Sequence, residues 1–226
     1  MTKAVIFDMD GVLIVSARPH YEAWREVTAD YGIHIDYETF KLSLGRDNKA
    51  TIARFWGDSL SKEEGTAVAD RKEKIFRDII SKDFRPVPGA PDLIRALRQA
   101  GWKMALGTSA PPENAAHVLS LLPGGDLITA RVDSSMVENV KPEPDIFLKA
   151  AELLDADPKD CIVIEDSISG LKAAAAAGMA RLALATSTEV GAISPLANAV
   201  RDDLVGVTPE FLAELIDRER VNRGGE

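Results

Sequence analysis

Residues 4–13 read AVIFDMDGVL, an apolar run that ends in two aspartates, one residue apart, and a glycine. A strand buried on both faces needs a continuous apolar run, so Ala4–Phe7 predicts a central strand of a parallel sheet. Asp8 and Asp10 then lie at the carboxyl end of that strand, where open α/β sheets bind their ligands. The stretch predicts a site for a polar ligand that is phosphorylated or bound to a metal.

The composition is that of an ordinary globular protein, with 226 residues of which 46% are hydrophobic, enough to bury a full core. The net charge of −9 and the lack of a dense Lys/Arg run argue against a nucleic-acid partner. The single cysteine, Cys161, fits a reducing compartment, and no segment resembles a membrane span or a signal peptide. We therefore expect a cytoplasmic monomer that binds neither membranes nor nucleic acids.

Short apolar runs alternate with helical patterns over most of the chain. Strands are predicted at residues 4–7, 103–106, 127–130, 161–164 and 181–185. Helices are predicted between the later strands at residues 91–99, 112–122, 144–154 and 169–177. Such alternation is typical of right-handed βαβ units, so we predict an α/β fold with a Rossmann-like parallel sheet.

Residues 15–85 break this alternation because they show helical patterns only, and a proline-rich stretch at residues 85–91 follows them. We predict an all-helical cap at residues 15–85, inserted into an α/β core domain formed by residues 1–14 and 86–226. An insertion directly after the first strand is well placed to act as a lid over the ligand.

Three further polar sites interrupt the apolar pattern: one follows the strand at residues 103–106, one follows the strand at residues 161–164, and Lys141 stands before the helix at residues 144–154. Since the carboxyl ends of parallel strands converge, all of these residues are expected in one cleft. The predicted cleft contains Asp8, Asp10, Thr108, Ser109, Lys141, Glu165 and Asp166.

These residue types suit phosphoryl transfer. The carboxylates of Asp8 and Asp166, with the backbone carbonyl of Asp10, are oxygen ligands of the kind that Mg²⁺ prefers. Asp8 is the candidate nucleophile, which would form an aspartyl phosphate. Asp10 projects to the same side of the chain and is the candidate acid and base. Glu165 is predicted either to bind the metal or to orient the water around it.

The remaining cleft residues are predicted to bind the phosphoryl group. Lys141 would hold one phosphoryl oxygen and balance the charge of Asp8, while the Thr108 hydroxyl and the Ser109 amide would bind others. A second interpretation of Thr108 is that it caps the following helix. For Asp8 and Asp10 alone, the alternative is a solvated turn before the glycine.

The segments FDMDGVL, GTSA, VKPEPD and VIEDSISGLKAAAAAGM resemble, in order, the four motifs of the haloacid dehalogenase superfamily. The helical insert resembles the cap that some members carry after the first strand. The resemblance implies that Asp8 is the nucleophile, that Thr108 and Lys141 bind phosphate, and that Asp166 with Glu165 forms the metal site. Asp10 implies a phosphatase or phosphomutase, since dehalogenases lack this acid and ion-pumping ATPases have threonine there.

Residues 19–24, the Gly45-Arg46 pair and residues 71–72 are similar to cap segments of the β-phosphoglucomutase-like, or CbbY-like, branch. His20 is interpreted either as a packed side chain or as a residue that couples cap closure to proton transfer. Arg46 and Lys72 are expected to be exposed cations, interpreted either as ordinary surface charges or, given their place in a cap over an anion site, as contacts to the substrate. Ile14-Val15 departs from the Asp or Asn that family members usually have near this position, which leaves the hinge contact there undefined.

The leading hypothesis is a Mg²⁺-dependent phosphatase of a small phosphorylated metabolite such as a sugar phosphate. A β-phosphoglucomutase and an inorganic pyrophosphatase are alternatives, because both would use the same core residues. A phospho-aspartate signalling module is a further alternative. Chain order argues against it, since receiver domains place the acidic pair first whereas Glu165 and Asp166 come last here.

Overall fold

The computed structural model describes residues 3–44 and 47–224, and side chains up to residue 222. The chain forms two compact units, one of Met1–Val15 with Pro86–Glu226 and one of Ser16–Arg85. Among the described residues, no helix has both the length and the apolar character required to cross a bilayer.

The helical unit contains α1 (Ala17–Ala29), α2 (Tyr37–Lys41), α3 (Asn48–Trp56) and α4 (Lys62–Lys82). Side chains start three of these helices: Asp36 and Asp47 accept backbone N–H groups of α2 and α3, and Ser61 forms a capping box with Glu64 at α4. The unit has an aromatic core of its own, in which Trp24 and Trp56 are buried.

The α/β unit is built on six parallel strands in the order β3-β2-β1-β4-β5-β6. The strands are β1 (Ala4–Phe7), β2 (Lys103–Gly107), β3 (Ala130–Val132), β4 (Cys161–Glu165), β5 (Ala180–Leu184) and β6 (Ala199–Arg201). Every residue of β1 is buried, so both faces of the sheet are covered. The strand order reverses beside β1, and this is the place where doubly wound sheets bind ligands.

Helices connect the strands of this unit. They are α5 (Ala90–Gln99), α6 (Pro112–Leu121), α7 (Asp145–Leu153), α8 (Ile168–Ala176), α9 (Val190–Ile193) and α10 (Pro209–Gly224), with 3₁₀ turns at Gly125–Leu127, Ser134–Met136, Pro158–Asp160 and Ser194–Leu196. α7 and α8 pack on the face of β1 that presents Ala4 and Ile6. α5 and α10 contact each other. In addition, α5 contacts β2, and α10 contacts β4 and β5.

The predicted α/β fold with a parallel sheet is confirmed, and four of the predicted strands match to within one residue at each end. The strand predicted at residues 127–130 is wrong, because Gly125–Leu127 forms a 3₁₀ turn and β3 begins only at Ala130. Ile128 is buried without joining a strand, so its apolar character reflects packing rather than pairing.

Candidate active site

The ends of β1 and β4 bring the candidate nucleophile beside the acidic pair. The N–H of Asp8 donates to the carbonyl of Ile164 at 3.0 Å, which extends the parallel ladder one residue beyond β1. Glu165 is the last residue of β4, and Asp166 follows it directly. The side chains of Asp8, Glu165 and Asp166 are all buried, although each carries an ionisable group.

The Lys141 ammonium lies between two buried carboxylates. Its Nζ is 2.5 Å from Asp8 Oδ1 and 2.8 Å from Glu165 Oε1, and it lies 4.8 Å from the ring centroid of Phe147. Burial alone lowers the pKa of Lys141, but the charges of Asp8 and Glu165 outweigh burial and raise that pKa above its usual value. Lys141 therefore keeps its positive charge beside the carboxylate of Asp8, the candidate nucleophile.

Glu165 uses both oxygens for donors within the protein. Oε1 accepts from Lys141, while Oε2 accepts the backbone N–H groups of Asp166 at 2.7 Å and Ser167 at 2.6 Å. A side chain at Gly170 in the first turn of α8 would overlap the Glu165 carboxylate, so glycine makes room for it. The N-terminal end of a helix favours a negative charge. In this arrangement the Glu165 carboxylate accepts hydrogen bonds from Lys141 and from two backbone N–H groups just before α8.

The three acids could also hold a metal ion. Ligand oxygens of Asp8, Glu165 and Asp166 all lie within 4.8 Å of one another. Burial, Glu165 and Asp10 raise the pKa of Asp8 to about 7 against the opposing effect of Lys141. Burial, then Glu165 and Asp8, raise the pKa of Asp166 well above its usual value. These carboxylates repel one another, and their oxygens are the ligands that a hard divalent cation prefers. A bound cation would relieve the repulsion.

A tight turn brings Asp10 to this cluster. Gly11 has φ +73°, a conformation that favours glycine, and its N–H donates to the carbonyl of Ile14 at 2.9 Å. A side chain at Gly11 would overlap the Asp166 carboxylate, so the turn packs directly against that acid. The charge of Asp10 contributes to the raised pKa of both Asp8 and Asp166, in agreement with its place beside them.

Thr108 and Ser109 lie beyond the end of β2. The Thr108 N–H donates to the carbonyl of Val132 at 3.0 Å, and its buried hydroxyl oxygen accepts the N–H of Ala110 at 3.1 Å. The interpretation of Thr108 as a helix cap is wrong, because the cap position of α6 is Pro111. Ser109 is half-buried. Phosphate binding by Thr108 and Ser109 stays a prediction.

The sequence interpretation missed two hydroxyl residues of the site, Thr186 and Ser187. Thr186 Oγ1 donates to the carbonyl of Gly11 at 2.7 Å and lies 3.3 Å from Asp166 Oδ2. Ser187 Oγ donates to the backbone carbonyl of Asp166 at 3.3 Å. The signal was present, since Thr-Ser-Thr at residues 186–188 follows the β5 run in the way that other site residues follow their strands.

In the helical unit, the expectation that Lys72 is exposed is wrong. Lys72 is only 3% exposed, its Nζ pairs with Glu73 Oε1 at 2.9 Å, and it lies 5.4 Å from the ring centroid of Trp24. A carboxylate on the next residue and an aromatic face offset part of the cost of burying this cation. His20 stacks on Phe76, with ring centroids 4.0 Å apart and planes 6° from parallel.

Glu73 is the centre of this buried polar cluster. Asn48 Nδ2 donates to Glu73 Oε1 at 2.8 Å, in addition to the contact from Lys72. Burial alone raises the pKa of Glu73, but Lys72, His20 and the hydrogen bonds together lower it below its usual value. Arg46 lies outside the described residues. Contacts of His20, Arg46 and Lys72 with a substrate stay predictions.

Comparison with known proteins identifies the family. Residues 2–178 match the haloacid dehalogenase-like hydrolase family. The chain is 32% identical over 225 residues to β-phosphoglucomutase of Bacillus subtilis (strain 168), covering 96% of this chain and 95% of that protein. It is 31% identical over 185 residues to a phosphorylated carbohydrates phosphatase of Thermotoga maritima, covering 80% of this chain and 83% of that protein.

Solved structures agree with the sequence relatives. The crystal structure of β-phosphoglucomutase from Clostridium difficile superposes with a TM-score of 0.85 at 29% identity, covering 98% of this chain and 100% of that chain. The family match runs from before Asp8 to beyond Asp166 and so includes every strand end that contributes to the acidic cluster. This chain therefore belongs to the haloacid dehalogenase-like hydrolases and is an enzyme.

Proposed function

We propose that this protein is a Mg²⁺-dependent phosphatase of sugar phosphates that works through an aspartyl phosphate on Asp8. The observation that carries the proposal is the buried Asp8 carboxylate, held by Lys141 at 2.5 Å and grouped with Asp166. A nucleophile needs its charged form, and an adjacent ammonium favours that form.

The chain's own residues supply the chemical steps. Asp8 attacks phosphorus, the bond from phosphorus to the sugar oxygen breaks, and Asp10 donates a proton to the departing oxygen. In the second step Asp10 takes a proton from a water molecule, which attacks phosphorus and releases Asp8. Lys141 holds a phosphoryl oxygen throughout, and Glu165 keeps its ammonium in place.

Asp8, Asp166 and the backbone carbonyl of Asp10 would hold the Mg²⁺. The bound ion supplies positive charge that offsets the repulsion between a carboxylate nucleophile and an anionic phosphate. Thr108 and Ser109 are proposed to bind the remaining phosphoryl oxygens through a hydroxyl and an amide.

The names of the relatives support a phosphorylated sugar as the substrate, since one is a phosphatase of phosphorylated carbohydrates and one a phosphoglucomutase. The second candidate function is a β-phosphoglucomutase, which the 32% identity over 96% of this chain favours. In a mutase a sugar hydroxyl replaces water as the acceptor. We propose that the helical unit, as a cap, makes this choice, with His20, Lys72 and Arg46 among the residues involved.

The test measures two products from the same reactions. Purified protein with Mg²⁺ is given a panel of sugar phosphates, β-glucose 1-phosphate among them, and pyrophosphate; free phosphate and glucose 6-phosphate are both measured. Phosphate release from a sugar phosphate supports the phosphatase, whereas isomerisation without free phosphate supports the mutase. Release from pyrophosphate alone would indicate a pyrophosphatase.

Matched variants assign the activity to the site. Asp8→Asn keeps the shape of the side chain but removes the nucleophile, so turnover should fall to background. Asp202→Asn is the control, because Asp202 is an exposed carboxylate in the same unit. Full activity in Asp8→Asn would refute the aspartyl-phosphate route.

A further inference from the structure

We propose that Thr186, at the end of β5, is a positioning residue that holds the Asp10-Gly11 turn and Asp166 in the arrangement that binds the metal. This inference rests on the proposed function, because it concerns the same metal site. Its basis is the pair of contacts that Thr186 Oγ1 makes, 2.7 Å to the Gly11 carbonyl oxygen and 3.3 Å to Asp166 Oδ2.

The backbone around Gly11 depends on outside contacts for its orientation. Glycine has no side chain to restrict rotation, and Gly11 adopts φ +73°. The peptide group before it carries both the Asp10 carbonyl and the Gly11 N–H, which donates to the Ile14 carbonyl at 2.9 Å. The Thr186 hydroxyl donates to the Gly11 carbonyl, which belongs to the peptide group after Gly11. Both peptide groups that flank Gly11 are therefore held, and with them the direction of the Asp10 carbonyl.

The same hydroxyl lies where the turn meets Asp166. A side chain at Gly11 would overlap both the Asp166 carboxylate and, at 2.8 Å, Thr186 Oγ1, so the three groups are packed together. Ser187 donates to the backbone carbonyl of Asp166 at 3.3 Å from the same loop. The loop after β5 thus contacts two of the proposed ligand-bearing segments at once. Groups that orient metal ligands contribute to metal affinity without touching the ion.

A positioning role predicts a larger effect on metal binding than on stability. Thr186 is exposed, so water can satisfy the Gly11 carbonyl when the hydroxyl is removed. We expect the Tm of Thr186→Val in the presence of a chelator to lie within about 4 °C of the wild-type value. The Mg²⁺ affinity should fall by about tenfold, the lower end of the range for such residues.

The experiment titrates Mg²⁺ alone into the metal-free protein by calorimetry and measures the Mg²⁺-induced rise in Tm. Thr186→Val has nearly the shape of threonine but lacks the hydroxyl, and Thr186→Ser restores it and should bind Mg²⁺ within about twofold of wild type. Thr188→Val is the control from the same loop, since the described contact of the Thr188 hydroxyl is a long one of 3.4 Å to Ser187 Oγ and not one to Gly11 or the Asp166 carboxylate. For an active wild type, the Mg²⁺ concentration for half-maximal rate should rise in Thr186→Val while KM for the sugar phosphate changes little.

Three results would overturn the inference: unchanged Mg²⁺ affinity in Thr186→Val, an equal loss in Thr188→Val, or no Mg²⁺ binding by the wild type. A fall in Tm that is the same with and without Mg²⁺, with unchanged affinity, would make Thr186 merely structural. A wild type that binds Mg²⁺ but releases no phosphate from any sugar phosphate would refute the proposed function, and the calorimetric comparison would still decide the role of Thr186.

Discussion

Replacing Glu165 with glutamine should lower both the thermal stability and kcat/KM, because every described hydrogen-bond partner of this carboxylate is a donor. Lys141 Nζ lies 2.8 Å from Oε1, and the N–H groups of Asp166 and Ser167 lie 2.7 Å and 2.6 Å from Oε2. A glutamine amide has one acceptor oxygen and one donor nitrogen. In either orientation its NH₂ group faces a donor.

The less costly orientation keeps the amide oxygen on the two backbone N–H groups and turns the NH₂ group toward Lys141. One charge-assisted hydrogen bond is then lost, at a cost of about 1.5 to 3 kcal/mol. For a protein of this size, that loss lowers Tm by about 3 to 12 °C. Lys141 retains its contact with Asp8 but loses the partner that orients it, so kcat/KM should fall by about 10- to 100-fold.

Thermal unfolding followed by circular dichroism, in the presence of a chelator, measures the stability change, and phosphate release with Mg²⁺ measures catalysis. Glu152→Gln is the matched control: Glu152 pairs with Lys149 at 2.9 Å, but its side chain is 68% exposed. Such surface pairs contribute about 0 to 1 kcal/mol, so the control should remain close to wild type in both assays.

A Glu165→Gln protein whose Tm and kcat/KM both match those of Glu152→Gln would show that the buried carboxylate contributes to neither stability nor catalysis. Loss of activity with unchanged Tm would show that the buried carboxylate acts on the reaction alone and that its hydrogen bond from Lys141 does not stabilise the fold. Equal losses of stability in both variants would show that burial of Glu165 is unimportant.

Glu73, Gly11 and Cys161 provide independent tests. Lys72 and neighbouring donors outweigh burial and hold the pKa of Glu73 below its usual value, so its charged form stabilises the helical unit at neutral pH and the contribution is lost as the pH falls through that lowered pKa. The Tm difference between wild type and Glu73→Gln should therefore shrink from about pH 7 to about pH 3. Gly11→Ala forces a methyl group into the Asp166 carboxylate at a positive φ, and we expect loss of Mg²⁺-dependent activity together with a lower Tm. Burial, with a smaller contribution from a nearby acid, raises the pKa of Cys161 to about 12, so a thiol reagent should label the native protein much more slowly than the denatured protein; equal rates would contradict its burial.

The positions of the strand ends were readable from the sequence. Buried parallel strands require unbroken apolar runs, so the point where each run gives way to polar residues marks a strand end whatever the strand pairs with. These strand ends located Asp8 and Asp166, predicted that they meet, and indicated the α/β fold. Lys141 lies beyond β3, which ends at Val132, and was identified by its motif before α7. The strand predicted at residues 127–130 was wrong, because an apolar side chain there is buried outside the sheet. A short apolar run does not reveal whether its backbone pairs with a neighbouring strand.

The sequence by itself thus indicated the family, the fold class and the candidate acids and cation of the site, because each depends on local motifs, most of which follow apolar strands. Only the tertiary structure decided which atoms touch. Thr186 reaches Gly11 across 175 residues of chain, a contact set by the adjacency of β4 with both β1 and β5. Lys72 looked like a free surface cation until the packing of α4 buried it beside Glu73 and Trp24. The place of Thr186 after the β5 run is visible in the sequence, but the partners of Thr186 and Lys72 are not, because those side chains converge only through folding.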